Sequence, residues 1–135
     1  MIGLDTNVLV RYVVQDDPKQ SPQATALIES LRDDDQGFIS VVVLAEFHWV
    51  VRRTYKASRR EVAALIRDWL SASEIVVEHA DAVQRALDRT NDQFDFPDAL
   101  IGELGLRAGC EYTATFDSAA ATLLGMRLLS DVDRK

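Results

Sequence analysis

Short apolar runs that read as strands alternate along this chain with longer segments of helical period, and this alternation limits the fold more than any other feature. Ile2 to Leu4 is a short apolar run, and it ends in Asp5-Thr6-Asn7, residue types that cap helices. Ser21 to Arg32 has helical character behind Asp17-Pro18. Gly37-Phe38-Ile39 reads as a strand ending at Ser40, the expected N-cap of a helix from Val41 to Tyr55. Arg59 to Leu70 is amphipathic, with Val62, Leu65, Ile66 and Trp69 on one stripe. Glu74 to Val77 reads as a strand, Asp81 to Arg89 as a helix, and Phe96 to Ala108 as a helix stopped at Gly109. Tyr112 to Ala114 reads as a strand, Ser118 to Leu124 as a helix, and Arg127 to Leu129 as a last strand. Strands alternating with helices imply parallel pairing and an α/β/α sandwich. Such sheets present functional groups at the carboxyl ends of their strands.

At 135 residues the chain fits a single domain, 1–135, large enough to bury a core. No signal or transit segment is visible at the start. The run from Val41 to Val51 is interrupted by Glu46 and His48 and is too short to span a bilayer. With one cysteine, Cys110, no intrachain disulfide can form, and a cytoplasmic protein is expected. The net charge of −7 makes general binding to nucleic acid unfavourable, since phosphate contacts need Lys and Arg. It suits a metal pocket or a basic partner, or simply solubility.

Acidic residues at strand ends and helix starts are the chemical feature of the chain. Asp5 follows Ile2-Gly3-Leu4, Asp117 follows Tyr112 to Phe116, and Asp98 lies in the first turn of the helix opened by Asp95-Phe96-Pro97. An Asp at a helix start is most often a cap or a dipole partner, and Asp95 with Asp98 resembles a capping box. Glu46 lies too far past Ser40 to be a cap. It sits inside an apolar run, where an unpaired carboxylate would be costly to bury. The plain alternative is a helix face that emerges into solvent. Neither Arg52 nor Arg53 is placed for a local pair with it. Carboxylates gathered at one sheet edge would repel one another, and a divalent cation removes that cost. All-oxygen ligation points to Mg²⁺ or Mn²⁺ rather than Zn²⁺. His48 and His79 offer no zinc spacing and read as structural. No P-loop, G-x-S-x-G or G-x-G-x-x-G pattern is present. The dense basic stretch Arg52, Arg53, Lys56, Arg59 and Arg60 could hold phosphates, but it also fits a helix C-terminus and a solvated face.

Four segments resemble, in order, the motifs of PIN-domain proteins. They are Asp5-Thr6-Asn7-Val8-Leu9-Val10-Arg11, Ile39 to Glu46, Asp95-Phe96-Pro97-Asp98-Ala99-Leu100-Ile101, and Thr115-Phe116-Asp117. The resemblance spans essentially the whole chain, and its short length is similar to the VapC-type toxins of toxin–antitoxin modules. It implies a PIN-like nuclease domain with Asp5, Glu46 and Asp98 as core metal-binding acids and Asp117 as a fourth. Thr6 and Asn7 would brace the Asp5 loop, and Thr115 would be a polar neighbour. Pro97 and the small residues Ser118 to Ala121 depart from the usual pattern.

The implied activity is Mg²⁺-dependent endonucleolytic hydrolysis of RNA, by a homodimer held in check by a cognate antitoxin. Large apolar groups at Phe47, Trp49, Tyr55 and Trp69 give a further reason to expect self-association. Two other readings remain: a PIN-like module that only binds partners, or a Mg²⁺-dependent receiver module. A receiver needs paired early acids and a Lys at a late strand end. Asp16-Asp17 does not match, and the only late lysine is Lys135.

Overall fold

A computed structural model describes residues 1–90 and 93–131 of the chain. Lys135 lies outside the described residues. The chain falls into two compact units, Met1–Ala80 and Asp81–Lys135. Among the described residues no helix is long and apolar enough to cross a membrane.

The first unit runs β1 (Ile2–Gly3), α1 (Thr6–Val14), α2 (Gln20–Ser30), β2 (Gly37–Ile39), α3 (Val41–Arg53), α4 (Arg59–Ser71) and β3 (Ile75–Val77). The strands pair in parallel in the order β1-β2-β3, with Ile2 opposite Gly37 and Ile39 opposite Val77. Parallel neighbours need crossovers, and each is made here by a pair of helices. The starts of α3 and α4 carry local signals. The Ser40 hydroxyl accepts from Val43 N at 3.2 Å to open α3, and Ser58 with Glu61 forms a reciprocal capping box on α4. The turn between these helices passes through Lys56 at φ 59° and is closed by Arg52 Nη1 donating to Ala57 O at 3.1 Å. The core gathers Leu4, Leu9, Val10, Ile39, Leu44, Phe47, Val51, Val62, Ile66 and Trp69. Phe47 meets Trp69 edge to face at 4.9 Å between centroids.

The second unit holds α5 (Ala80–Arg89) from Asp81 onward, α6 (Phe96–Arg107), β4 (Thr113–Thr115) and β5 (Met126–Leu128), with a 3₁₀ turn at Ala120–Thr122 and another at Leu129–Asp131. β4 and β5 pair in parallel, Thr113 opposite Met126. α6 lies close against this ladder because it carries glycine where it meets it. A Cβ on Gly105 would stand 2.5 Å from Thr113 Oγ1, and one on Gly102 would stand 3.0 Å from the Leu124 carbonyl.

The parallel α/β class expected from the alternation is what the chain adopts, its strands distributed over two parallel sheets among the described residues. Two local expectations change. Ser118 to Leu124 forms a single 3₁₀ turn and not a helix. Asp117 Oδ1 accepts from Ala119 N and Ala120 N at 2.9 and 3.2 Å, and Gly125 turns the chain away at φ 85°. The run is too short to repay helix nucleation. The four aromatic groups at Phe47, Trp49, Tyr55 and Trp69 are also not an exposed surplus. Phe47 and Trp69 are core, and Trp49 and Tyr55 are half-buried.

Candidate functional site

Parallel pairing puts the carboxyl ends of β1, β2 and β3 on one edge of the first unit's sheet, and the chain places Asp5, Ser40 and Glu78 just beyond those ends. Asp5 is the N-cap of α1, in extended backbone, with its carboxylate accepting from Thr6 N at 2.8 Å. It is exposed, so the cap does not take it out of water. The neighbouring Thr6 is buried, and its Oγ1 has no hydrogen-bond partner among the described residues. Glu78 Oε1 accepts from Val41 N at 3.0 Å and so assists Ser40 in opening α3. Glu78 escapes sequence reading because the helix it caps begins far away in the chain.

Glu46, whose apolar run left open either a stabilising partner or a helix face that emerges into solvent, lies on the solvent face and is exposed. α3 turns Leu44, Phe47, His48 and Val51 inward. Val42, 64 % exposed, and Glu46 one turn on face solvent. The helical period decides this, because four residues return to the same face.

In the second unit Asp98 lies in the first turn of α6 and is half-buried. Its carboxyl is raised above the usual aspartate range, first by burial, then by the negative charges of Asp95 and Asp117. Asp95 is the N-cap residue of α6, yet its side chain makes no capping hydrogen bond, so the capping box read from the sequence is not formed. Asp117 follows β4 and is exposed. Its amide donates to Thr115 Oγ1 at 3.0 Å, which gives Thr115 the supporting role expected of it. The second unit therefore brings Asp95 and Asp117 near enough to Asp98 for their charges to oppose its ionisation.

Among the described residues no group of three or more His, Cys, Asp or Glu side chains stands close enough together to hold a metal ion. The chemistry of the donors nonetheless fits a hard divalent cation. They are carboxylates without thiol or imidazole, and Asp98 pays for ionisation through like-charged neighbours that a cation would neutralise.

Cations elsewhere are largely committed to the fold. Arg52 closes the turn after α3, and Arg53 lies 4.8 Å over the Trp49 ring. Arg11, which begins no acidic pair in the sequence, joins Asp16 at 3.0 Å, Gln20 at 3.0 Å and the Tyr55 hydroxyl at 3.1 Å, and Tyr55 in turn donates to Asp16. Glu103 on α6 is the acid that sequence reading missed. It is 1 % exposed and receives Arg85 Nε at 2.9 Å and Arg89 Nε at 2.8 Å. The signal was present: an acid in the run Ala99 to Leu106, and two arginines one turn apart on α5.

A family model, the PIN domain, matches residues 2–123. No curated protein matches the chain. Among solved structures, the crystal structure of VapC20 from Mycobacterium tuberculosis, described as a sarcin-ricin loop cleaving toxin, is 23% identical. That alignment covers 94% of this chain and 99% of the other, at a TM-score of 0.46.

Proposed function

The chain belongs to the PIN-domain family, and on that premise we propose that it is a divalent-metal-dependent endoribonuclease, a single PIN-like domain acting as the toxin of a type II toxin–antitoxin pair. The observation that carries the reading is Asp98: a half-buried carboxyl at a helix start, raised by burial and by two further acids. Such an arrangement costs the ionised acid stability in the fold, and acids perturbed in this way cluster at sites of chemistry. The receiver alternative falls with the family.

Asp5, Glu46, Asp98 and Asp117 would hold the metal, Mg²⁺ or Mn²⁺. Their assignment rests on the resemblance of the four segments. A divalent ion held by these acids would lower the pKa of a bound water, making hydroxide available at neutral pH, and would offset the charge of the phosphate under attack. The chain's own residues do the positioning. Asp5 is fixed by its bond to Thr6 N, so its carboxylate is set at the end of β1. Asp117 is fixed by the amides of Ala119 and Ala120 and by Thr115. Asp98 is fixed by the packing of Ala99 and Leu100 beside it on α6.

The substrate would be RNA and the regulator a small antitoxin. Arg on an antitoxin would suit these acids, because its charge is permanent and its planar fork engages carboxylates bidentately. A homodimer and a cytoplasmic location belong to the same reading, the first supported by the resemblance and the second by the lone Cys110. Light scattering at micromolar concentration tests the dimer. The test of the function is cleavage of a total RNA pool with and without Mg²⁺, with the cut sites mapped. Cleavage that survives chelation, or none with the metal present, overturns the proposal.

A further inference from the structure

Phe116 is the most exposed large apolar side chain among the described residues, 84 % accessible. Its backbone is nevertheless anchored on both sides. Thr115 lies in β4 and accepts from Asp117 N through Oγ1. Asp117 is pinned to the following turn by Ala119 N and Ala120 N, and its carbonyl accepts from Ala121 N at 3.0 Å. The ring is thus held out to solvent between hydrogen-bonded neighbours, beside an acid that bears on Asp98. An isolated exposed aromatic contributes little to the fold, since almost none of its surface leaves water.

The surrounding charges favour an aromatic contact over a phosphate grip. All four described arginines of this unit are engaged: Arg85 and Arg89 with Glu103, Arg107 with Asp81 at 3.3 Å, and Arg127 over the Tyr112 ring at 4.7 Å. A nucleic-acid strand can still be held without cations, by stacking a base on an aromatic face. Only an unpaired base offers that face.

We propose that Phe116 is a positioning residue: its ring stacks on an unpaired base of the RNA and sets the strand's register beside Asp117 and Asp98. This rests on the ribonuclease reading, and the test separates the two. The probes are single-stranded RNA 12-mers carrying 2-aminopurine, titrated with the full chain in chelator so that no metal-dependent cut occurs. Binding is followed by anisotropy and stacking by fluorescence quenching, for the wild type, Phe116→Tyr, Phe116→Leu and Phe116→Ala. Wild type and Phe116→Tyr should bind alike and quench the base. Phe116→Ala and Phe116→Leu should bind about 5- to 160-fold more weakly, the span of one lost base–aromatic stack, and should not quench. Melting temperatures should agree across all four, because the ring is not part of the core. Equal binding by all four proteins overturns the inference. So does full binding by Phe116→Leu, which would mean a general apolar contact, or a change of molecular mass in Phe116→Ala, which would mean a contact with protein. If wild type cleaves the RNA pool and Phe116→Ala cleaves it at the same sites and rate, stacking fails while the nuclease stands. If the wild type neither binds nor cleaves RNA, both fail together.

Discussion

Replacing Arg85 and Arg89 together by methionine should cost this protein several kcal/mol at neutral pH and far less in mild acid. Methionine keeps most of each side chain's apolar stem, so the perturbation is chiefly the removal of two charges from Glu103. That carboxylate is 1 % exposed, and the two guanidinium groups at 2.9 and 2.8 Å are its partners. Leaving a buried charge unpaired typically costs about 3–5 kcal/mol. The chain can limit this loss by taking up a proton. An ordinary glutamate has a pKa of about 4.3 and a pKa unit is worth about 1.36 kcal/mol, so protonation costs about 3.7 kcal/mol at pH 7 and about 1 kcal/mol at pH 5. The sign follows. In the variant the folded Glu103 would have a pKa above its unfolded value, so the native state holds the extra proton and stability rises as pH falls toward the ordinary carboxylate range. Urea unfolding of wild type and variant at both pH values measures this. The opposite cut should be milder: Glu103→Leu in the wild type leaves Arg85 and Arg89, 47% and 36% exposed, still in reach of water. Adding Glu103→Leu to the double variant should recover most of the loss, because no buried charge remains. A loss below about 1 kcal/mol at pH 7, or one of equal size at pH 5, would refute the reasoning that an unpaired carboxylate sets the magnitude.

Asp98→Asn should abolish metal-dependent RNA cleavage yet stabilise the metal-free fold at neutral pH, because it removes a carboxyl that burial, Asp95 and Asp117 all disfavour when ionised. The raised pKa means that the wild type regains this stability as pH falls through it, so the gap between the two melting curves should close in acid; a constant gap counts against the assignment. Gly105→Ala should destabilise although alanine is the better helix former: relieving the 2.5 Å approach to Thr113 Oγ1 costs about 1–3 kcal/mol against a propensity gain of about 1. A net gain in chemical denaturation would show that α6 has room there. Ser58→Ala should remove the capping box on α4 and about 1 kcal/mol of stability, read by urea midpoint. Asp17, lowered by its bonds from Gln20 N and Lys19 N, stabilises the start of α2 above the ordinary aspartate range and should lose that contribution as pH falls through its lowered pKa. Asp17→Asn should weaken that acid dependence, and an unchanged profile refutes it.

Much of the fold can be read from the chain because its signals are local. Ser40 caps α3 as its sequence position suggests, Gly109 at φ 95° ends the turn after α6, and of the stripe Val62, Leu65, Ile66 and Trp69 all are buried except Leu65, which is half-buried. The misreadings arise where a residue's neighbours come from elsewhere. Ser118 to Leu124 has helix-forming alanines, but Asp117 spends its carboxylate on two of their amides and Gly125 ends the run. Glu46 has apolar neighbours in sequence, but side chains on a helix are sorted by angle and not by adjacency, and of the two readings left open the solvent face is the one formed. The same argument applied to Glu103 would have found a truly buried acid.

Asp98 and Glu103 show how little an acid's own helix says about its work. They stand five residues apart on α6, about 140° round the axis, so one helix offers its two carboxylates to different surroundings. Glu103 meets two arginines and is satisfied: its burial is repaid by ion pairs, and it has no charge left to offer a ligand. Asp98 meets two more acids, and its burial is made worse by them. Both sit among apolar neighbours in the sequence, and depth of burial alone would favour Glu103, which is 1 % exposed while Asp98 is half-buried. The sign of the charges brought against each carboxylate is what separates a structural acid from a candidate site, and those charges come from α5 in one case and from the residues beside α6 and β4 in the other. A carboxylate that its own fold leaves in repulsion is the one that can gain from a cation, and this is why Asp98, rather than the more deeply buried Glu103, is the acid on which the nuclease reading turns.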